Sequence, residues 1–310
     1  MWRPRESDQP AEWEPTVTAL DLSLRRATLR GMTARGHYVP KMLLRRFADD
    51  REHLSAYDLK TGKTLTPSID GVAAEMDFYH VELPDGSTDA YLEDQLAAVE
   101  GEVAATLRAI IDRKSFPPSS DDRLVLACFV ALQFLRTARI RGWLNELADA
   151  ASAQRPHGNA HLQLMLELLP KATNRLIAMR LVIVRYKRQR LLTCDSPVVL
   201  HSEPIDGSFP TGVGLLNADE VWLSVSCDVA VCFTDRVPRD AELPPNASGA
   251  HWLNLMTAHH ARRWIFHHPE DSPLRPIDFP AWRATDLDLD ELARLADPFA
   301  DFPDPIDEPD

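Results

Sequence analysis

The 310-residue chain has 47 acidic and 34 basic side chains, a formal net charge of −13 and 45% hydrophobic residues. These proportions are ordinary for a folded globular protein and allow a sizeable core. The first ten residues lack the apolar core of a signal peptide and no apolar run approaches the ~20 residues that span a bilayer, so we expect a cytoplasmic protein with no membrane partner.

Composition and the positions of proline predict that the chain is divided into three parts. Residues 1–17 carry three prolines and no periodicity, which is typical of a mobile arm. Residues 18–268 are expected to form a single α+β domain. Residues 269–310 are acidic and rich in proline, and we expect a tail there, with a short helix over 289–295.

The start of the domain predicts short elements. A weakly patterned helix over 18–35 precedes Gly36, and Pro40 suits the first turn of a helix that runs to Phe47. The segments 53–58 and 63–66 predict a hairpin across Thr61-Gly62, and a further strand is expected over 78–83.

Two long helices have the clearest pattern. The first is expected from Thr88 or Asp89 to about Arg113, because its apolar residues recur at spacings of four and three. After two prolines, Ser119 or Ser120 can cap a second helix that runs to about Ala151. A third helical stretch covers 160–169 and can resume over 171–179, beyond Pro170.

The pattern then changes to strands, which are rich in Val, Leu and aromatic residues. A last helix and a last strand follow. Helices first and strands later argue for an α+β fold, with two long antiparallel helices packed on a mixed or antiparallel sheet from the second half. The absence of G-x-G-x-x-G and G-x-x-x-x-G-K-[ST] motifs disfavours the commonest nucleotide sites. The expected elements are strands over 181–185, 191–193, 198–201, 221–224, 229–233 and 264–266, and a helix over 249–262.

The four cysteines show no metal or disulfide spacing, so we expect buried, reduced thiols. Nothing in the sequence indicates a lowered thiol pKa, and Cys194 is therefore a poor candidate nucleophile. The other three are Cys128, Cys227 and Cys232.

Charge is unevenly distributed. Residues 270–310 hold thirteen acids and three bases, whereas Leu22–Phe47 and Lys171–Arg190 each hold seven Lys or Arg and no acid. This asymmetry predicts either a solvated surface beside a disordered acidic tail, or a polyanion site that the tail covers. Nucleic acid or a nucleotide is therefore a candidate partner, and the oligomeric state stays open.

A histidine lies just before the first short helix, and two arginines lie near its end. His37 precedes the helix N-terminus, and Arg45 and Arg46 lie on the helix itself. Helix N-termini attract anions, so a phosphate or carboxylate could be held near His37. The alternative is that His37 only caps the helix and packs.

Paired acids and a buried amide are further candidates. Glu93 and Glu100 are seven apart on one stripe of a helix and could hold a divalent cation, or simply be solvated or ion-paired. Gln133 interrupts an apolar run, and Arg136 follows on the same face. This Q-x-x-R pair could bind an anionic ligand or form a buried structural network.

Two polar residues in apolar surroundings complete the set. Asp195 lies in Thr193-Cys194-Asp195-Ser196-Pro197-Val198, where it is either a turn former or a general base or metal ligand. Asn254 lies on the last helix among apolar neighbours, where a hydrogen-bonded buried amide and a substrate contact are both compatible with the sequence.

Taken together, these segments resemble a large bacterial family catalogued as domain of unknown function family 4238. The opening motif H-Y-V-P-x-x-x-L-R-x-F, here His37 to Phe47, is the most specific part, followed by Gln133-x-x-Arg136-Thr137 and the turn at Asp195. The resemblance spans about 37–268. Cys194-Asp195-Ser196-Pro197 departs from the usual S-D-N-P, and Lys41-Met42 replaces Gln and an aromatic residue. The resemblance implies that His37, Gln133, Arg136 and Asp195 meet in one place, and it implies no activity.

The leading hypothesis is an enzyme acting on a phosphate-containing substrate, a metal-assisted nuclease or phosphodiesterase. His37 and Asp195 would be catalytic. The alternatives are a non-catalytic nucleic-acid or nucleotide binding module, and a regulatory interaction protein that uses its acidic tail. In the enzyme, Glu93, Glu100 and Asp195 would hold Mg²⁺ or Mn²⁺, and Arg45, Gln133, Arg136 and Asn254 would bind the substrate.

Overall fold

The computed structural model describes residues 35–275 and Ile277, apart from segments at 77, 80, 83–87, 90, 113–115, 151–159, 188–189, 203–213, 245–246 and 276. The expected arm over 1–17, most of the expected helix over 18–35, the helix over 289–295 and nearly all of the acidic tail lie outside the described residues.

The described chain contains six α-helices and thirteen strands. None of these helices is both long enough and apolar enough to cross a membrane. In chain order the elements are β1 (Arg35–His37), α1 (Lys41–Leu44, followed by a 3₁₀ turn Arg45–Phe47), β2 (Ser55–Asp58), β3 (Lys63–Leu65), β4 (Ala74–Met76), β5 (Val81–Glu82), β6 (Thr88–Asp89), α2 (Tyr91–Ile111), α3 (Ser120–Leu135), α4 (Ala138–Ala150), α5 (Ala160–Ala178), β7 (Arg180–Arg185), β8 (Thr193–Cys194), β9 (Val198–His201), β10 (Glu220–Ser224), β11 (Val229–Thr234), β12 (Ala241–Leu243), α6 (Ala247–His260) and β13 (Trp264–His267).

A five-stranded sheet from the second half of the chain forms the centre of the fold. Its strand order is β12-β7-β11-β10-β9, and each neighbouring pair is antiparallel except β12 with β7, which is parallel. The expected α+β fold with a mixed sheet is confirmed. The first half is less purely helical than expected, since β1 to β6 precede the long helices.

Helices cover both faces of this sheet. Successive side chains of a strand point to opposite faces, and β7 follows this rule. Leu181 and Ile183 belong to the core that includes α2, α3 and α5, whereas Val182 and Val184 pack with Trp252 of α6. Burial on both faces explains why these strands consist of continuous apolar runs rather than alternating ones.

A second, antiparallel sheet joins distant parts of the chain in the order β3-β2-β13-β8. The predicted hairpin of β2 and β3 is confirmed, and Gly62 adopts the left-handed φ of 69° that its turn requires. Because β13 pairs with β8, the turn at Asp195 lies beside the turn that connects α6 to β13.

The predicted second long helix is two helices. Helix α3 ends at Leu135, and α4 begins at Ala138. Between them, the Thr137 hydroxyl accepts a hydrogen bond from the Ile140 N–H at 3.5 Å, which is the bond of a helix N-cap. By contrast, α5 continues through Pro170, where an interruption was expected. Residues Thr88 and Asp89, expected to start α2, pair with β5 instead.

Candidate functional site

The Q-x-x-R pair of α3 forms a buried network with the segment after β1. Gln133 and Arg136 both have no solvent exposure. The Gln133 Oε1 accepts from Arg136 Nε at 3.1 Å and from Nη2 at 2.8 Å, and the Gln133 Nε2 donates to the Tyr38 carbonyl at 2.8 Å. The Gln133 amide is thus bonded on both sides.

The same arginine reaches α2. Its Nη1 donates to Glu100 Oε1 at 2.8 Å, and the Glu100 side chain is 26% exposed. An arginine with no solvent contact requires such partners, because an unpaired buried charge is costly. The network therefore joins α2, α3 and the segment at Tyr38, and we refer to Tyr38, Glu100, Gln133 and Arg136 as the Tyr38 network. These contacts favour the structural interpretation of Gln133, Arg136 and Glu100 over ligand binding.

Asp195 bonds the turn before β13. Its Oδ1 accepts from the Arg262 N–H at 2.8 Å, and its Oδ2 accepts from the N–H groups of Arg263 at 2.8 Å and Trp264 at 3.0 Å. Burial raises the pKa of the Asp195 carboxyl, and the three donors oppose that rise. Because both oxygens are occupied by backbone donors, the turn-forming role has support here, and the catalytic and metal-binding roles do not.

Tyr38 lies close to three of the predicted residues, His37, Gln133 and Asp195. Its carbonyl binds Gln133. Burial raises the pKa of its hydroxyl, and the negative charge of Asp195 raises it further. His37 is the adjacent residue, is half-buried, and accepts the Tyr79 hydroxyl at its carbonyl at 3.1 Å. Nothing in these contacts tests a catalytic role for His37, which stays a prediction.

The other two predicted substrate-binding residues have partners of their own. Arg45 Nε donates to Glu52 Oε1 at 2.6 Å on the surface. Asn254 bridges the segment before β8, because its Oδ1 accepts from the Leu192 N–H and its Nδ2 donates to the Arg190 carbonyl, both at 2.9 Å. Asn254 is therefore a hydrogen-bonded buried amide.

The expected Mg²⁺ or Mn²⁺ site lacks support from the carboxylates that the structure describes. Glu100 is bonded to Arg136, and Asp195 to backbone, while the Glu93 side chain is not among the described ones. Within the described residues, no group of three or more His, Cys, Asp or Glu side chains could hold a metal ion.

All four cysteines are free, as expected, and burial raises the pKa of each thiol. A protonated thiol is a poor nucleophile, so cysteine chemistry has no support.

A cavity of about 510 Å³ lies among α3, α4, α5 and β9. Most of its lining is apolar, as in ordinary small-molecule sites. Its mouth exposes two large hydrophobic side chains, Trp143 at 49% and Leu216 at 51%. The apolar lining residues are Phe134, Leu135, Ile140, Trp143, Leu164, Leu168, Ala172, Val198, Leu200, Leu215 and Leu216.

Four polar side chains also line this cavity: those of Thr137, Arg139, Ser196 and His260. Ser196 is 5% exposed, and its buried hydroxyl has no hydrogen-bond partner among the described residues. A buried hydroxyl without a partner costs about 1–3 kcal/mol. Because the Ser196 oxygen is itself buried, a ligand can reach it only if the wall of the cavity shifts, and a hydrogen-bonding group would then remove that cost.

His260 is neutral and fully engaged. Its Nδ1 lies 2.9 Å from the Met256 carbonyl, and its Nε2 lies 3.4 Å from the Leu200 N–H. This pattern assigns the proton to Nδ1 and makes Nε2 the acceptor. Burial, together with the positive charge of Arg139, lowers the pKa of His260 to about 3. With both nitrogens occupied, His260 cannot take a proton from Ser196.

A family model described as "Protein of unknown function (DUF4238)" matches residues 35–271, most of the chain. The chain belongs to the DUF4238 family. The resemblance seen in the sequence is therefore confirmed. The DUF4238 match runs from β1 to beyond β13, so the Tyr38 network and the cavity both lie within it. No curated protein and no solved structure matches the chain.

The sequence motifs did not predict the polar residues of the DUF4238 cavity. In the sequence, Ser196 stands out only as part of a turn, and nothing in the motifs described above points to His260. Arg139 lies two residues after the Q-x-x-R-T motif, and this proximity is the local signal that could have pointed to it. No pattern within one segment indicates the cavity, because five segments of the chain contribute to its wall.

Proposed function

We propose that this DUF4238 protein is a non-catalytic binding protein whose cavity takes a small molecule with an apolar body and an anionic group. The observation that carries the proposal is the mostly apolar cavity itself, whose wall includes the Arg139 guanidinium and the Ser196 hydroxyl, which has no partner among the described residues. Polar groups that are few and precisely placed are what orient a ligand in such cavities.

The size of the cavity and the exposure of its apolar residues are the arguments for an apolar body on the ligand. The cavity volume of about 510 Å³ falls within the roughly 300–1,000 Å³ that is typical of small-molecule sites. Trp143 and Leu216 stay half-exposed at the mouth, and a bound apolar molecule would remove them from water.

The position of Arg139 is the argument for an anionic group on the ligand. Its Nη1 donates to the His260 carbonyl at 2.8 Å, and no carboxylate of the described residues pairs with it. The remaining N–H donors of a guanidinium fork suit a carboxylate, sulfonate or phosphate.

The absence of an activated nucleophile in the described site supports binding over catalysis. His260 has both nitrogens occupied, the thiols have raised pKa values, and Asp195 is held by backbone N–H groups. The phosphate-directed enzyme and the cytoplasmic location stay predictions.

Two fluorescent probes test the cavity: 8-anilinonaphthalene-1-sulfonate, which is anionic, and 1-aminoanthracene, which is uncharged. We expect Leu216→Asp to weaken both probes by about tenfold, a loss of ~1.4 kcal/mol, because a charge at the mouth opposes apolar binding. The matched control is Leu65→Asp, since Leu65 is also 51% exposed and does not line the cavity. An equal effect of the two variants would contradict the proposal.

Arg139→Gln tests the charge preference separately. We expect it to weaken the sulfonate probe by several-fold and to leave 1-aminoanthracene unchanged, because only the former uses the guanidinium. Near-ultraviolet circular dichroism and a cooperative urea transition must be unchanged, since partly unfolded states also bind the sulfonate probe.

A further inference from the structure

A second concave site lies on another part of the chain, where the first short helix packs on α2. Its volume is about 300 Å³. Met42, Ala104 and Leu107 contribute apolar surface, and Arg45, Arg46 and Arg108 contribute three guanidinium groups. We refer to these six residues as the arginine groove.

The charge of the arginine groove is unbalanced. Arg45 pairs with Glu52 at 2.6 Å, whereas the guanidinium groups of Arg46 and Arg108 form no hydrogen bond or ion pair with the residues that the structure describes. No acidic side chain lines the groove. Like charges held close together repel, and an anion placed between them removes that repulsion.

Arg46 and Arg108 each follow or precede a buried residue that fixes the backbone beside them. Phe47, next to Arg46, has no solvent exposure, and Leu107, next to Arg108, is 1% exposed. These neighbours anchor the 3₁₀ turn and α2 in the main core. Because the backbone under each arginine is fixed, less conformational entropy is lost when a ligand binds.

We propose that the arginine groove binds a phosphate group, with Arg46 and Arg108 as its principal donors. The guanidinium fork matches two phosphate oxygens, and two such forks across a groove match the charge of a phosphate or diphosphate. The net charge of the whole chain is −13, so it repels anions in general, and local arginines must supply the attraction. This site is separate from the cavity at Ser196 and does not depend on the function proposed there.

The test is calorimetric titration at low ionic strength with inorganic pyrophosphate, and in parallel with a short single-stranded DNA. The double variant Arg46→Gln/Arg108→Gln should lose at least about tenfold in affinity, since it removes both unpaired guanidinium groups. The control is Arg239→Gln, which makes the same charge change at an exposed arginine outside the groove and should alter affinity by less than about twofold.

The two ligands distinguish the source of the phosphate. Binding of pyrophosphate that depends on Arg46 and Arg108 indicates a small phosphorylated molecule, and such binding of DNA alone indicates a nucleic-acid backbone, with affinity that falls as salt rises. If neither ligand binds the wild-type protein, or if Arg239→Gln weakens binding as much as the double variant does, the proposal is wrong. The double variant must keep its affinity for 8-anilinonaphthalene-1-sulfonate, and Leu216→Asp must keep its affinity for pyrophosphate, so each site fails or succeeds alone.

Discussion

The Tyr38 network and the cavity at Ser196 place polar side chains in opposite situations. In the network, Gln133 is bonded through both atoms of its amide and Arg136 through three nitrogens. In the cavity, the Ser196 hydroxyl is buried with no partner in the described part of the chain. A polar residue within an apolar motif is therefore expected to be buried. Only its hydrogen-bond partners show whether it stabilises the fold or is available to a ligand.

Two arginines that are three residues apart should differ most in their effect on stability. Arg136→Met should lower the free energy of unfolding by about 3 kcal/mol, because it leaves Gln133 and Glu100 without their buried partner. Arg139→Met should change it by less than about 1 kcal/mol, since this guanidinium lies at the surface. Urea denaturation at pH 7 measures both. Equal effects would show that the network is not what stabilises the fold.

Asn254 should give the next largest loss. Asn254→Ala leaves the Leu192 N–H and the Arg190 carbonyl without their partner and should lower the free energy of unfolding by about 2 kcal/mol. Asn217→Ala is the control, because Asn217 is exposed and, among the described residues, its side-chain amide bonds only the Gly214 N–H. If binding of the two fluorescent probes fell while stability stayed constant, Asn254 would be a ligand residue instead.

His260 should make the stability of the protein depend on pH. Its pKa is about 3 in the folded protein and near 6.5 when unfolded, so between these values only the unfolded state is protonated. The stability that depends on neutral His260 is therefore complete above pH 6.5 and is lost as the pH falls. Between pH 6 and pH 4, His260→Gln should reduce the slope of the unfolding free energy by about 1.4 kcal/mol per pH unit. An unchanged slope in urea titrations would refute the buried, neutral state.

Ser196 should give no loss of stability. Ser196→Ala should leave the free energy of unfolding unchanged or raise it by up to about 1–3 kcal/mol, because the hydroxyl has no described bond to lose and the cost of burying it disappears. Probe affinity should fall in the same variant. The matched control is Ser226→Ala, since Ser226 is equally buried but accepts from the Val229 N–H at 3.0 Å. A larger loss for Ser196→Ala than for Ser226→Ala would mean that its hydroxyl is bonded.

The predictable parts of the fold are those in which neighbours along the chain decide the conformation. The strands at β7, β9, β10 and β11, the hairpin at Gly62 and the last helix follow from runs of residue type and from turn chemistry. The helix break at Thr137 was not predicted, because the apolar pattern continues across it. It forms where Arg136 turns inward to its buried partners and the Thr137 hydroxyl caps the next helix.

Candidate residues were found more easily than their roles. The spacing of Gln133 and Arg136 correctly placed both on one helix face. Their further partners, however, are Tyr38, 95 residues from Gln133, and Glu100, 36 residues from Arg136. The donors that bind Asp195 are 67 to 69 residues away. No spacing within a motif contains that information.

The sequence by itself determined the fold class, the apolar strands and helices, and the family. These depend on the period of side chains along a strand or helix, which backbone geometry sets locally. The tertiary structure is needed to see which distant partners Asp195 and Arg136 bond, and that Ser196 and Arg139 line a cavity. The physical reason is that the cost of burying a polar atom depends on which distant segments surround it and whether they offer a partner.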